Sequence, residues 1–198
     1  MTDQRRVANP MGSGSRGEEL LKSLPEGHVI HTLVTEHVQI LGVLKELDAL
    51  RTKLVQMTTL DESRAILDNI CSYAELLLDA ERHYLREEQV VCLELEKRRI
   101  SGPPEIIRKE HNLLRPLKQR LLNLAATGGE KKEFATLQEE IDETMDRVIS
   151  NLILHIRKEN NIYYPLALEI IDDPAVWEEM HTECDEIGYC SFTLGSGH

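Results

Sequence analysis

The chain has 198 residues, 41% hydrophobic and 29% charged, enough apolar material for one well-filled core. Aromatic residues are only 4%, with two Phe and one Trp, so the core must come from Leu, Ile, Val and Ala, the material of packed helices, which disfavours sandwich and barrel folds. Against 23 Lys and Arg stand 35 Asp and Glu, and the net charge of -12 opposes general binding to nucleic acid or to an anionic membrane surface.

Residues 1–17 carry MGSGSRG and almost no apolar pattern, so they read as a flexible tail. A short helical turn is expected from Leu20 to Leu24, before Pro25 and Gly27. The first long helix begins near Val29, where Ile30, Leu33, Val34, Val38, Leu41, Leu44 and Leu47 recur at steps of three and four and define one buried stripe. Thr58 or Thr59 caps the second, with Glu62 in a capping box, and its apolar spacing runs through Ile66, Ile70, Leu77, Tyr84 and Val91 to about Leu95. Ser101, Gly102, Pro103 and Pro104 stop that helix and start a third, which ends near Gly128 and Gly129. The fourth spans about Lys131 to Ile171, with Phe134, Leu137, Ile141, Met145, Val148, Leu152 and Ile156 inward and Asp172, Asp173 and Pro174 closing it.

The expected fold is therefore an all-α up-down-up-down four-helix bundle with short terminal helical additions. The bundle occupies residues 18–172, and residues 173–198 form a short helix holding Trp177 and a tail packed on it. No apolar stretch is long enough to span a bilayer, and no basic start precedes an apolar run at the N-terminus. Cys71, Cys92, Cys184 and Cys190 form no CxxC pair, which fits free thiols in a cytoplasmic protein.

Two pairs carry chemistry. His83 with Glu87, and His155 with Glu159, are each four residues apart, so imidazole and carboxylate share one helix face about one turn apart. The stronger signal is a repetition. His37 lies 46 residues before His83 in the text EHVQIL, and His111 lies 44 residues before His155 in EHNLLR. With a turn near Thr58, His37 and His83 reach comparable heights on antiparallel helices, and His111 and His155 reach roughly the same layer. Four histidines and two glutamates without a thiolate suit iron or manganese better than soft copper, and zinc also accepts these ligands. Six side chains and a bridging oxygen hold two ions with coordination positions left open, whereas one ion would be crowded.

This ordered set resembles the bacterial hemerythrin-like family of HHE cation-binding four-helix domains, over about Gly27 to Ile171, with EIGYC at Glu186 to Cys190 similar to the tail of one branch. The resemblance implies that His37 and His83 bind one iron, that His111 and His155 bind the other, and that Glu87 and Glu159 bridge them beneath an oxo or hydroxo group. Oxygen-carrying members use a fifth histidine one turn from the third-helix ligand and commonly an aspartate bridge. Here those positions hold Arg115 or Ile107, and Glu159. The departure moves the chain toward four-histidine members associated with nitric oxide chemistry, iron handling or repair of iron-sulfur centres.

The function expected is a non-haem di-iron protein that binds or senses dioxygen or nitric oxide. The alternative is a di-iron redox enzyme, served by an electron donor, that reduces nitric oxide or peroxide or repairs iron-sulfur centres. A metal-free helical scaffold or homo-oligomer would have to bury four histidines and two carboxylates without an ion, an expensive arrangement. His31 or His28, in GHVIH, competes with His37 as the first-helix ligand; His31 and His37 lie roughly 240° apart, so both cannot face inward. Glu36 and Glu110 read as solvated, or as orienting a ligand histidine if turned inward. Tyr84, Tyr163 and Tyr164 either donate hydrogen bonds near the centre or pack at the core edge. His181 with Asp185 reads as an acidic surface helix rather than a second site, Cys184 and Cys190 as reduced thiols, and His198 has no evident partner.

Overall fold

The apolar repeat at three and four residues folds each long segment into a helix with one buried stripe. The computed structural model describes residues 16–127 and 133–193. A short α1 (Arg16–Ser23) precedes the first arm, α2 (Val29–Leu54). The second arm is assembled from α3 (Leu60–Asp79), α4 (Glu81–Arg86), a π-helical turn over Glu87–Val91, and α5 (Cys92–Lys97). The third is α6 (Gly102–Thr127). The fourth is α7 (Phe134–Lys158), a second π-helical turn over Glu159–Tyr163, and α8 (Tyr164–Ile170), after which α9 (Pro174–Ile187) folds back. α2 and α6 each pack against both α3 and α7, which closes a four-sided all-α bundle; there is no strand among the described residues.

Local signals set the helix ends. Thr59 Oγ1 accepts the Glu62 N–H at 3.3 Å, and the Glu62 carboxylate accepts the N–H and hydroxyl of Thr58 at 3.2 and 3.0 Å, so the capping box closes one residue earlier than its usual form. At that same end of the bundle, Arg51 on α2 reaches Asp142 and Asp146 on α7.

The core is split into two apolar clusters with a polar layer between them. Ile40, Leu44, Leu77, Leu114, Leu152 and Ile156 belong to one; Val34, Val90, Val91, Ile107, Tyr163 and Ala167 belong to the other. Every arm crosses from one to the other through a histidine or glutamate: His37 on α2, His83 and Glu87 on the second arm, His111 on α6, His155 and Glu159 on the fourth.

Several expectations are corrected. Val38 is 39% exposed, and Ile40 takes the inward place, because α2 turns its His37 face to the interior at this level. The second and fourth helices are interrupted by π turns rather than continuous. Arg16 and Gly17, read as tail, form the first turn of α1, whose Leu20 is buried against the upper cluster. The rest of that tail, Gly128 and Gly129, and residues 194–198 lie outside the described residues. Removing three carbons from fully buried Leu47 leaves a cavity, so Leu47→Ala is expected to cost about 2–5 kcal/mol in urea unfolding. Val38→Ala is expected to stay within about 0.5 kcal/mol of the parent, although the bare repeat ranks the two positions alike.

Candidate metal centre

All six residues singled out by spacing meet in the polar layer, each no more than 2% exposed. The His37 and His83 Nε2 atoms are 3.2 Å apart, and those of His111 and His155 are 3.0 Å apart. The glutamates span the two imidazole pairs. Glu87 Oε2 lies 3.4 Å from His83 Nε2 and 3.2 Å from His111 Nε2. Glu159 places Oε2 at 3.1 Å from His37 Nε2 and Oε1 at 2.8 Å from His155 Nε2. Two overlapping groups result, His37 with His83 and Glu159, and Glu87 with His111, His155 and Glu159, and within each the ligand atoms lie within 4.8 Å of one another.

The outer ring nitrogens decide what the inner ones offer. Nδ1 of His83 meets Glu36 Oε2 at 2.7 Å, Nδ1 of His111 meets Glu88 Oε1 at 2.7 Å, and Nδ1 of His155 meets Glu110 Oε2 at 2.8 Å. Nδ1 of His37 meets Asn160 Oδ1 at 2.9 Å. A carboxylate or an amide oxygen only accepts, so each Nδ1 carries the proton, and in a neutral ring Nε2 is then a bare lone pair. Burial pushes the Glu36 carboxyl up, but the His83 hydrogen bond and the His83 and Arg86 charges outweigh it and hold it down at about 2. Glu88 is likewise held below its ordinary value against burial by His111 and Arg115, and Glu110 by its hydrogen bond to His155.

Four inward lone pairs and two carboxylates in one dry layer repel one another unless a cation lies among them. Glu87 Oε2 and both oxygens of Glu159 are buried and accept no hydrogen bond, despite imidazole nitrogens close by. Close approach without hydrogen-bond geometry is the arrangement of donors aimed at a common third atom. The donor set, oxygen and imidazole only, fits divalent or trivalent metal cations of intermediate hardness. The chain is correspondingly matched from His28 to Ala167 by the model of the hemerythrin HHE cation-binding domain. The chain belongs to that family. No curated protein matches it.

Within the hemerythrin domain, the π turns account for residues that spacing alone does not find. Each begins at the shared glutamate, with the Cys92 N–H bonded to Glu87 O and the Tyr164 N–H bonded to Glu159 O, five residues on. Glu87 faces the centre while Glu88 holds His111, and Glu159 faces it while Asn160 holds His37. Glu88 and Asn160 are the two residues that sequence reasoning missed; their equivalent places after the two glutamates were the available signal. Glu36 and Glu110, read as solvated or as orienting a ligand histidine if turned inward, take the second course and hold His83 and His155, because each lies one position from a leading histidine on a face that packs against the next arm.

Tyr164 donates to Glu87 Oε1 at 2.8 Å, and its ring stacks on His37 at 5.5 Å. Tyr84 stacks on His111 at 3.8 Å, with Lys118 Nζ 4.1 Å from its ring centroid. Tyr163 sits farther out and pairs its hydroxyl with Cys92 Sγ at 3.0 Å.

The structure separates His28 and His31 from the layer. His28 caps α2, its Nδ1 accepting the Ile30 N–H at 3.1 Å, and stacks against Trp177; together with His181 and Glu178 it lines a surface cavity of about 260 Å³. His31 is half-buried and belongs to neither ligand group. His181 lies 3.5 Å from Asp185 on an exposed stretch of α9, and Cys71, Cys92, Cys184 and Cys190 are free thiols. His198 lies outside the described residues.

Without metal, protons must take the place of cations. Burial lowers the affinity of His111 and His155 for protons, but the facing glutamates outweigh it and raise them to about 10 and about 9. A histidine raised above its ordinary 6.5 contributes stability that is complete below 6.5 and is lost as pH rises through the folded value. Glu36, depressed to about 2, contributes stability that is complete above its ordinary 4.5 and is lost as pH falls toward 2. These three groups should make metal-free protein lose stability, read as the urea midpoint, as pH rises above about 6.5 through pH 9–10 and as it falls below about 4.5. Loading with metal should remove the alkaline decline.

Proposed function

We propose that this chain is a non-haem di-iron protein that binds or senses dioxygen or nitric oxide, with His37 and His83 holding one iron, His111 and His155 the other, and Glu87 and Glu159 shared between them. The observation that carries this reading is the outward oxygen partner on each Nδ1, which turns four Nε2 atoms and the unpaired carboxylate oxygens toward one buried layer. Six side chains distributed over two ions leave positions for a small exogenous ligand. Bound iron would supply the reversible or redox chemistry toward the gas. The side chains hold the ions in register, and both apolar clusters keep bulk water from the layer. Manganese and zinc are the competing metals on ligand type alone.

A second reading, a di-iron redox enzyme acting on nitric oxide or peroxide or repairing iron-sulfur centres, draws its support from Tyr164. Its hydroxyl lies on Glu87 Oε1 and 3.4 Å from His37 Nε2, so a proton donor stands inside the layer, where turnover would need one. Four free thiols and no described helix long and apolar enough to cross a membrane are compatible with a reducing cytoplasmic setting.

Anaerobic reconstitution followed by metal quantitation should give about two irons per chain, with visible bands that change on adding dioxygen or nitric oxide. Glu87→Ala and Glu159→Ala should each lower metal retention by about tenfold or more, since each removes a carboxylate that faces both imidazole pairs. A full complement of iron with spectra indifferent to both gases would discard the sensing reading, and turnover of nitric oxide or peroxide above metal-stripped protein would select the enzyme.

A further inference from the structure

The two halves of the centre are built alike but sealed unequally. In the first half, the acceptors that hold the outer nitrogens are buried: Glu36 is 0% and Asn160 5% exposed. In the second, the Glu88 and Glu110 side chains are 18% and 20% exposed, and Glu110 is paired with Lys158, whose side chain is 49% exposed.

The seal over Glu36 comes from the C-terminal segment, while Asn160 lies on the second π turn, against which α1 packs. α9 ends at Gly188, whose φ of +85° turns the chain back, a conformation that a residue with a Cβ adopts only under strain. The segment then crosses α4. Tyr189 O accepts from Arg82 Nη1 at 2.7 Å, the Ser191 N–H donates to Asp79 Oδ2 at 2.6 Å, and Thr193 Oγ1 donates to Glu36 Oε1 at 2.5 Å. Beneath it Arg86, 1% exposed, binds Glu36 at 2.5 and 2.6 Å and lies 4.7 Å from the centre of the Tyr189 ring. The second half carries no counterpart of this strap among the described residues.

We infer that the two metal positions differ in exchange: the C-terminal strap locks the His37–His83 position, and the His111–His155 position is the one through which a divalent cation enters and leaves. The inference rests on the proposed two-metal centre and assigns a different task to each half. A cation leaves more readily where the outer acceptors that orient its imidazoles can yield and water or a competing ligand can reach the rings. In the second half this needs the opening of two partly exposed pairs, Lys158–Glu110 behind His155 and Arg115–Glu88 behind His111, both low-cost local events. In the first half the strap must lift and a buried Arg86–Glu36 pair must separate, leaving charges uncompensated. The centre would thus retain one ion while exchanging the other, as a domain that receives or delivers cations requires.

The test is release of ferrous iron from the full-length loaded protein into excess chelator, followed as ions per chain against time. Two phases of about one ion each are expected, the slower by about tenfold or more. Thr193→Val and Gly188→Ala should each speed only the slow phase; Glu110→Gln should speed only the fast one. Release of both ions in a single phase overturns the inference even if every variant proves unstable. So does a slow phase that ignores both strap substitutions in protein of unchanged helicity, or one accelerated by Glu110→Gln. Fewer than two ions bound at the start would instead strike the two-metal reading itself, and this inference with it.

Discussion

The outward hydrogen bond on each imidazole is the constraint from which the centre follows. With Nδ1 committed to Glu36, Glu88, Glu110 or Asn160, each ring loses its rotational choice and its choice of tautomer together. Only then do four Nε2 lone pairs converge, and only then does bringing them within about 3 Å of each other in pairs call for a cation. Removing the acceptors while keeping the histidines would leave rings free to satisfy one another through an Nε2 proton, and the same six residues would describe an ordinary buried polar cluster.

That constraint explains the division of the core. A continuous apolar interior has no place for six polar side chains, so the bundle interrupts its packing at one level and resumes it above and below. The two apolar clusters stabilise the fold by burial and hold the arms rigidly enough for the polar layer to keep its geometry. They also keep the layer dry, which strengthens every electrostatic interaction inside it. The π turns sit at the same level: each departs from regular helix hydrogen bonding where two consecutive side chains serve the layer, at Glu87–Glu88 and Glu159–Asn160.

Much of this was legible in the sequence because it depends on periods. The stripe spacing specifies four amphipathic helices, and the 46- and 44-residue intervals place His37, His83, His111 and His155 at one height. What resisted was whatever depends on breaking the period. Glu88 and Asn160 lie in the π turns, where the helical period shifts and no longer tells which face a residue takes. Glu36 and Glu110 looked solvated because a carboxylate on a helix is usually exposed; what turned them inward was a partner on the neighbouring arm, visible only in three dimensions. Val38 failed in the opposite direction, fitting the stripe while α2 presented His37 instead.

The internal repeat makes its exceptions informative. His37 corresponds to His111, Glu36 to Glu110, Arg86 to Lys158, and Glu88 to Asn160, so a single ancestral layout would give two equivalent halves. The correspondence breaks in charge at the last pair. Three imidazoles donate to carboxylates, which push electron density into the ring and raise its basicity toward a metal; His37 donates to a neutral amide and gains less. It breaks in stacking as well: the tyrosine over His37 is hydrogen-bonded to Glu87, while the tyrosine over His111 carries Lys118 on its ring. A ring that donates to a neutral amide, stacked beneath a hydroxyl already committed to a shared carboxylate, favours a less electron-rich metal on that side. The two halves of the layer would therefore present different electron density to a bound cation, even though each offers two imidazoles and faces both glutamates.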